Sequence, residues 1–415
     1  MFLTYNIICI NNIYIITFYI IEPKGYNTYE STNQRINEPN KHIINIFKVY
    51  YIKYSIVSTS TTTTTMPKIE EGIKLDFHNV LIRPKRSTIN SRSNINLQRV
   101  FRFKNCNSLK SWEGIPIVAA NMDTIGCFDV YKVLSKFKIV TAFHKFYDVQ
   151  DFIDYQTQNG IVFNPDYFMV STGIQENDFQ RLQRILAQVE CNWICIDIAN
   201  GYIKALVDFC KRVREAYPDK IIIAGNVVTR EIVEELILNG GVDVVKVGIG
   251  SGSACLTRMK TGVGMPQLSA IMECADAAHG VGGHIISDGG ITCPGDMAKA
   301  FGGGADFVMV GGAFSGHDEN PGELVTNPDG SQSKIFYGMS SSHAMKKHYG
   351  GMNDYRASEG RLIRVPYRGP IENTILDFLG GLRSTCTYIN ASCIKHMPLC
   401  TTFVHVSQQL NTSLV

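Results

Sequence analysis

Charge is scarce in this chain. Of 415 residues, 19% are charged, against about 25% in an average soluble protein. A further 45% are apolar, which excludes disorder over most of the length. Neither sign dominates: 40 Lys and Arg against 37 Asp and Glu leave a net charge of +3, too little to favour nucleic acid or an acidic membrane surface as a partner. The twelve cysteines, running from Cys9 to Cys400, include no CxxC pair, and no histidine cluster has metal-ligand spacing. A disulfide framework and a zinc site are both unsupported, and a reducing, cytoplasmic setting is expected. The apolar opening MFLTYNIICINNIYIITFYI has no Lys or Arg ahead of it, is interrupted by Asn6, Asn11 and Asn12, and is followed by no A-x-A-like site. These absences argue against a secretory signal or an anchor.

The length suggests two or three domains at about 150 residues each, although α/β barrels run longer as one. The chain changes character at Met66. Residues 1–65 are rich in Ile, Tyr, Asn and Thr, show no Gly-punctuated pattern and close on a five-threonine run. They are expected to form a leader outside the globular fold, disordered or a gene-model extension ahead of translation from Met66, which would leave 350 residues.

From Ile115 onward, short apolar runs alternate with amphipathic stretches. The predicted strands are Ile115–Ala120, Ile139–Phe143, Phe168–Ser171, Trp193–Ile198, Ile221–Gly225, Val244–Val247, His284–Ser287 and Phe307–Val310. Each is continuously apolar, as parallel strands buried on both faces are. Helical patterns lie between them, at Asp178–Val189, Ile203–Ala216, Glu231–Leu238, Pro266–Ala278 and Gly295–Phe301 among others. Eight such strands with intervening helices predict an α/β fold of the (β/α)8 TIM barrel type, with a doubly wound sheet as the alternative. Residues 66–114 contain KLDFHNVLIRPKRS, read as a short strand and loop that closes the barrel bottom or reaches a neighbour. Phe314–Pro370 is Gly-, Ser- and Lys-rich and reads as a long mobile flap after strand eight, of the length that usually serves as a lid. Glu372–Leu382 reads as a last helix.

Active sites in this fold sit at the C-terminal ends of the strands, and those ends carry Asn121-Met122-Asp123, His144-Lys145, Asp197, Asn226, Asp288-Gly289-Gly290 and Gly311-Gly312. Any one of them could simply cap a helix or turn the chain. The most pointed signal is GIGSGSACLTRMKTGVG, from Gly248 to Gly264. Cys255 sits there in a glycine-rich loop with Arg258 and Lys260 nearby, a setting that favours a nucleophilic thiolate; the bland alternative is a small buried core residue. Glycines after strands seven and eight suit a phosphate, with Asp288 placed to accept from ribose hydroxyls.

Residues 66–415 resemble the family of inosine monophosphate dehydrogenases and guanosine monophosphate reductases, and within it the reductase branch of eukaryotic type. The stretches that carry the resemblance include KLDFHNVLIRPKRS, ANMDTIG, AFHKFY, DIANGY, AGNVVT, VKVGIGSGSACLTRMKTGVGMPQLSA, GHIISDGG, ADFVMVGGAFSGH, FYGMSS, YRASEG and ENTILDFLGGLRSTCTY, in order. The resemblance implies a purine nucleotide substrate, GMP, whose C2 is attacked by Cys255 to give a covalent thioimidate, with Thr257 and Glu359 moving the proton. It implies that ammonia leaves and that NADPH then delivers hydride to release IMP, in purine salvage. The nucleotide is expected at Ser253, Asp288, Gly289, Gly290, Gly311, Gly312, Gly338, Met339, Ser340, Arg356, Ala357, Ser358 and Gly360. The dinucleotide is expected at Lys145, Asp197, Ile198, Ala199 and Ser340, with Ser91, Arg92, Ser384, Thr385, Cys386 and Thr387 contributing, some from a neighbouring subunit of a homotetramer. A monovalent cation, potassium, is implied on backbone carbonyls of Gly250, Gly252 and Cys255 with Arg258 close by.

Three positions depart from the resembled pattern. Ser251 stands where the family usually has Pro, Ala254 where it has a larger β-branched residue, and Leu256 where it has Thr. Loss of the proline frees the backbone and puts loop rigidity and cation binding in doubt. The rival reading is oxidation of IMP with NAD, but only about 22 residues separate Lys145 from Phe168, with no room for the regulatory insertion those enzymes usually carry there. The remaining reading is a catalytically silent barrel that binds purine nucleotide.

Overall fold

The structure is a computed structural model that describes residues 2–10, 13–21, 68–107 and 111–407. The chain divides into two units, Met1–Glu71 and Gly72–Val415. In the second, all eight apolar runs become strands of one ring: β1 (Ile117–Ala119), β2 (Val140–Ala142), β3 (Phe168–Thr172), β4 (Trp193–Asp197), β5 (Ile221–Val227), β6 (Val244–Val247), β7 (His284–Asp288) and β8 (Phe307–Val310). Every neighbouring pair is parallel, and β8 closes onto β1 with Val308 opposite Ile117. That closure makes the (β/α)8 barrel and excludes the open sheet. Strand β1 starts later than its apolar run because Pro116 has no N–H to give a ladder.

Helices α1 (Phe128–Leu134), α2 (Val149–Asn159), α3 (Glu176–Gln188), α4 (Lys204–Ala216), α5 (Arg230–Leu238), α6 (Thr257–Thr261), α7 (Gln267–Gly280) and α8 (Pro294–Gly302) alternate with the strands. All but α2 and α6 turn a stripe of several buried residues inward; α3, for example, buries Phe179, Leu182 and Ile185, the three- and four-residue spacing of a helix face. Among the described residues, no helix is long and apolar enough to cross a membrane.

The barrel bottom is closed by a hairpin, Arg99–Arg102 paired with Ser111–Gly114, which inserts Phe101, Phe103 and Trp112 beneath the strands. Phe101 stacks on Phe307 at 4.4 Å between ring centroids, and Trp112 meets Trp193 edge-on at 5.6 Å. KLDFHNVLIRPKRS does not have the closing role expected of it. Its Val80–Ile82 pairs antiparallel with Phe403–His405, and Phe77 is buried with its carbonyl accepting from Lys299 Nζ at 2.9 Å on α8. The aromatic plug lay further along the same pre-barrel segment, in residues that alternate too briefly to register as a strand pair.

The flap is more structured than a loop. It holds a three-stranded antiparallel sheet of β9 (Val325–Thr326), β10 (Gln332–Tyr337) and β11 (Leu362–Pro366), and helix α9 (Ser342–Tyr349). Its strands hide from an apolar-run reading because β10 buries polar residues: Ser333 and Lys334 are buried, and Lys334 Nζ donates to the Asn320 carbonyl at 2.7 Å. Helix α10 (Ile371–Ile389) follows and runs beyond the predicted Leu382. In the first unit, Phe2–Ile10 pairs antiparallel with Ile13–Ile21, so these β-branched and aromatic runs form a hairpin where no strand was expected; residues 22–65 of the leader lie outside the described residues.

Below the barrel, His279, His284 and Asp306 bring their ligand atoms within 4.8 Å of one another. Arg99 already donates to Asp306 at 3.2 Å, so this carboxylate has its positive charge from the chain itself. The hydrogen bond that His279 Nε2 donates to Asp306, at 2.8 Å, raises the pKa of His279, and His279 and His284 hold Asp306 well below the usual carboxylate range against the cost of burial. A raised histidine pKa stabilises fully below its unfolded value of about 6.5 and is lost as pH rises through the folded value. Thermal unfolding should therefore show wild-type stability falling as pH rises above about 6.5, with a shallower fall in His279→Gln. Equal slopes would remove His279 from the stabilising set.

Candidate active site

The C-terminal ends of β1, β4, β6, β7 and β8 meet the flap around a cavity of about 230 Å³. The loop after β6 brings Ser253, Ala254, Cys255 and Thr257 to its wall; β7 brings Asp288, Gly289 and Gly290; β8 brings Gly311 and Gly312; the flap brings Gly338, Met339, Ser340, Glu359 and Gly360. Glycine is required where these loops crowd. A Cβ on Gly312 would stand 2.3 Å from Ser253 Oγ, and Gly289, at φ +97°, would set one 2.3 Å from Ser251 Oγ. The backbone N–H groups after β7 and β8 are thereby left open to a phosphate.

Cys255 lies half-buried beside the flap. Its thiol donates to Thr257 Oγ1 at 3.2 Å, and the Thr257 hydroxyl donates to Glu359 Oε2 at 2.7 Å. Sulfur, hydroxyl and carboxylate thus form one continuous chain for a proton. The flap arm is tied to the nucleophile loop through the backbone as well: Leu256 N donates to the Glu359 carbonyl at 2.6 Å, Arg361 N donates to the Ala254 carbonyl at 3.0 Å, and Cys255 and Gly360 form an antiparallel bridge. The three departures noted in the loop therefore fall where contacts run through backbone, and Ser251 adds a tie of its own, its hydroxyl donating to the Asp288 carbonyl at 3.1 Å. Burial pushes other thiols up, Cys191 to about 11 and Cys195 and Cys274 to about 12, and keeps them protonated in the core.

The floor of the cavity holds a residue that no motif announced. Lys246, in the middle of apolar β6, is buried and reaches Asp197 at the end of β4, Asp288 Oδ2 at 3.2 Å and Asn121 Oδ1 at 3.2 Å. Burial opposes its charge, but the two carboxylates outweigh this and raise its pKa. Lys246 in turn holds Asp197 below the usual carboxylate range. Asn226 completes the set, donating to Asp288 Oδ2 and to the Gly248 carbonyl, both at 2.8 Å. A lone lysine inside VDVVKVGIG was the signal that could have exposed this network.

The predicted residues do not all converge. Arg356, Ala357 and Ser358 stay off the cavity wall; Ser358 accepts from Ser342 N at 3.1 Å and donates to the Gly360 carbonyl at 3.0 Å, shaping the arm that carries Glu359. Lys145 stands at the end of β2 with its ammonium 6.0 Å from the Tyr349 ring centre. Of the residues after β4, Asp197 lines the cavity, and Ile198 and Ala199 do not. Ser91 caps the turn Arg92–Asn94, which packs on α10. Ser384, Thr385 and Thr387 direct their hydroxyls to carbonyls of α10 itself. Cys386 is fully buried in the core, and burial pushes its thiol up to about 12. The carbonyls of Gly250, Gly252 and Cys255 are those implied for a monovalent cation. That of Gly252 accepts from Cys255 N at 3.0 Å, and Arg258 lies over Gly250 while donating to the Met265 carbonyl and Asp76.

Comparison with known proteins agrees with this arrangement. The family model described as IMP dehydrogenase / GMP reductase domain matches residues 74–412. GMP reductase 2 of Homo sapiens is 55% identical over 350 residues, covering 83% of this chain and 98% of that relative. GMP reductase 1 of Mus musculus is 55% identical over 348 residues, covering 84% of this chain and 99% of the relative. GMP reductase of Klebsiella pneumoniae is 56% identical over 345 residues, covering 83% and 98%. A family model matched over residues 74–412 and relatives about 55% identical over nearly their whole length have one reading: the chain belongs to the IMP dehydrogenase / GMP reductase family and is an oxidoreductase.

Proposed function

We propose that this enzyme reduces GMP to IMP and ammonia with NADPH, in purine nucleotide salvage. The observation that carries the proposal is the Cys255–Thr257–Glu359 chain at the wall of the cavity. The Cys255 thiolate adds to C2 of the purine, and the exocyclic amine leaves as ammonia with a proton supplied through Thr257 from Glu359, giving a thioimidate on Cys255. NADPH, when bound, supplies the hydride that goes to C2. The C–S bond then breaks, IMP leaves and the thiolate returns, so that GMP, NADPH and two protons become IMP, NADP⁺ and ammonium. Covalent attachment divides a difficult amine displacement into two easier steps. Asp288 and the glycines after β7 and β8 hold ribose and phosphate, and Lys145, Asp197 and Ser340 face the dinucleotide. Lysine and arginine suit the additional phosphate of NADPH.

The reading extends to a cytoplasmic homotetramer in which the exposed turn at Ser91 and Arg92, packed on α10, faces a neighbouring subunit's dinucleotide. Residues 66–415 act as one catalytic domain, and residues 1–65 take no part in the chemistry.

Purified protein given GMP and NADPH should lose nicotinamide absorbance with formation of equimolar ammonia. Turnover with IMP and NAD alone would select the dehydrogenase reaction, and no turnover with either pair would select a silent nucleotide-binding barrel.

A further inference from the structure

Besides the seam at Cys255, the flap is fastened to the barrel at a buried carboxylate that does not line the cavity. Asp123, just after β1, is buried at 3% exposure. Its Oδ2 accepts from the Tyr337 hydroxyl at 2.6 Å, His348 Nε2 at 2.6 Å and Lys347 Nζ at 2.9 Å. All three donors belong to the flap, Tyr337 at the end of β10 and Lys347 and His348 on α9. Lys347 also donates to the Tyr337 hydroxyl at 3.1 Å, and the His348 ring lies flat on Phe146 after β2, centroids 3.6 Å apart. Burial opposes ionisation of Asp123, but the three flap donors outweigh it and hold the carboxyl below its ordinary range.

What distinguishes this carboxylate is the origin of its partners. Among the described residues, none of the barrel's own side chains donates to Asp123, and its Oδ1 is buried without a hydrogen bond. With the flap down, the group is satisfied by the flap alone; with the flap lifted, only water can replace those bonds. A buried carboxylate left with neither is strongly disfavoured, so the contact has two arrangements and no intermediate one. The coupling to the chemistry is short. Tyr337 pairs with Leu362 across the β10–β11 ladder, and Gly338 N donates to the Arg361 carbonyl at 3.2 Å, so the donor to Asp123 and the arm bearing Glu359 are one piece of sheet.

The geometry points to Asp123 as a positioning residue that latches the flap through Tyr337, Lys347 and His348 and so sets Glu359 against Thr257. This role rests on the proposed proton transfer through Glu359 and Thr257. The latch itself can be read without substrate. In Asp123→Asn, amide hydrogen exchange in residues 337–366 should quicken by about tenfold or more, and tryptic cleavage after Lys346, Lys347 or Arg356 should quicken in step. Flap exchange unchanged from wild type overturns the latch, whatever the enzyme turns over.

In turnover, Asp123→Asn should lower kcat by about tenfold to a hundredfold and shift KM for GMP less than about threefold, because the group acts on the proton chain and not on the nucleotide. Combined with Glu359→Gln it should add no further loss, whereas a multiplied loss would make its effect independent of Glu359 and overturn the positioning role. Lys347→Met, at a half-exposed side chain, removes one donor without emptying a buried site and should show the same pattern at smaller amplitude. It decides the question should Asp123→Asn fail to fold. If the flap loosens in either variant while wild type reduces no GMP, the latch stands and the proposed reaction falls.

Discussion

Turnover of GMP should drop by about ten-thousand-fold or more in Cys255→Ala, the scale on which removal of a covalent nucleophile acts. The side chain is small, half-buried and hydrogen-bonded only through its thiol to Thr257, so the variant should fold and melt like wild type. A control with similar chemistry is at hand in Cys293, which is exposed and precedes α8; Cys293→Ala should leave the rate unchanged. Initial rates with NADPH and GMP decide the matter, and a Cys255→Ala rate within about tenfold of wild type would rule out the covalent route.

The second large effect is on folding as well as on rate. Lys246→Met leaves Asp197 and Asp288 without their shared cation. Breaking a buried ion pair on one side costs about 3–5 kcal/mol; Asp197 retains 35% side-chain exposure, so solvent screening brings the expected loss to about 2–3 kcal/mol. Urea unfolding at pH 7 measures it. The sign with pH follows from the partner: Lys246 holds Asp197 below its unfolded pKa, so its contribution is present above about pH 4 and is lost as pH falls through the folded value. The deficit of Lys246→Met should accordingly shrink in acid. A deficit that stays as large well below pH 4 as it is at pH 7 would show that Lys246 acts through packing alone. GMP turnover should fall by at least about a hundredfold, since Asp288 and Asp197 both face the cavity and lose their fixed positions.

The barrel was legible because each of its strands is buried on both faces and so reads as an unbroken apolar run; Val244–Val247 and Phe307–Val310 begin and end where the sequence predicted. Cys255, Asp288 and the paired glycines were legible because they sit at strand ends, where the fold puts function. Glu359 was not: alone it is one more glutamate on a polar segment, and only its resemblance to a known motif singled it out. Lys246, and the flap partners of Asp123, which was read only as a strand-end residue, escaped for a different reason. Their meaning lies in partners 49 and 214 residues away, a relation that local spacing does not encode. The flap sheet escaped because β11 alternates only between exposed and half-buried residues and β10 buries Ser333 and Lys334, so neither reads as an apolar run.

The seam between flap and nucleophile loop has a consequence for the order of events. Leu256 and Arg361 tie the two by backbone hydrogen bonds on either side of Cys255, so the segment that closes the cavity over Cys255 also carries Glu359. On the proposed mechanism, any movement that lifts this segment to release product would part Glu359 from Thr257 at the same time, and the thiol would be competent only with the flap closed.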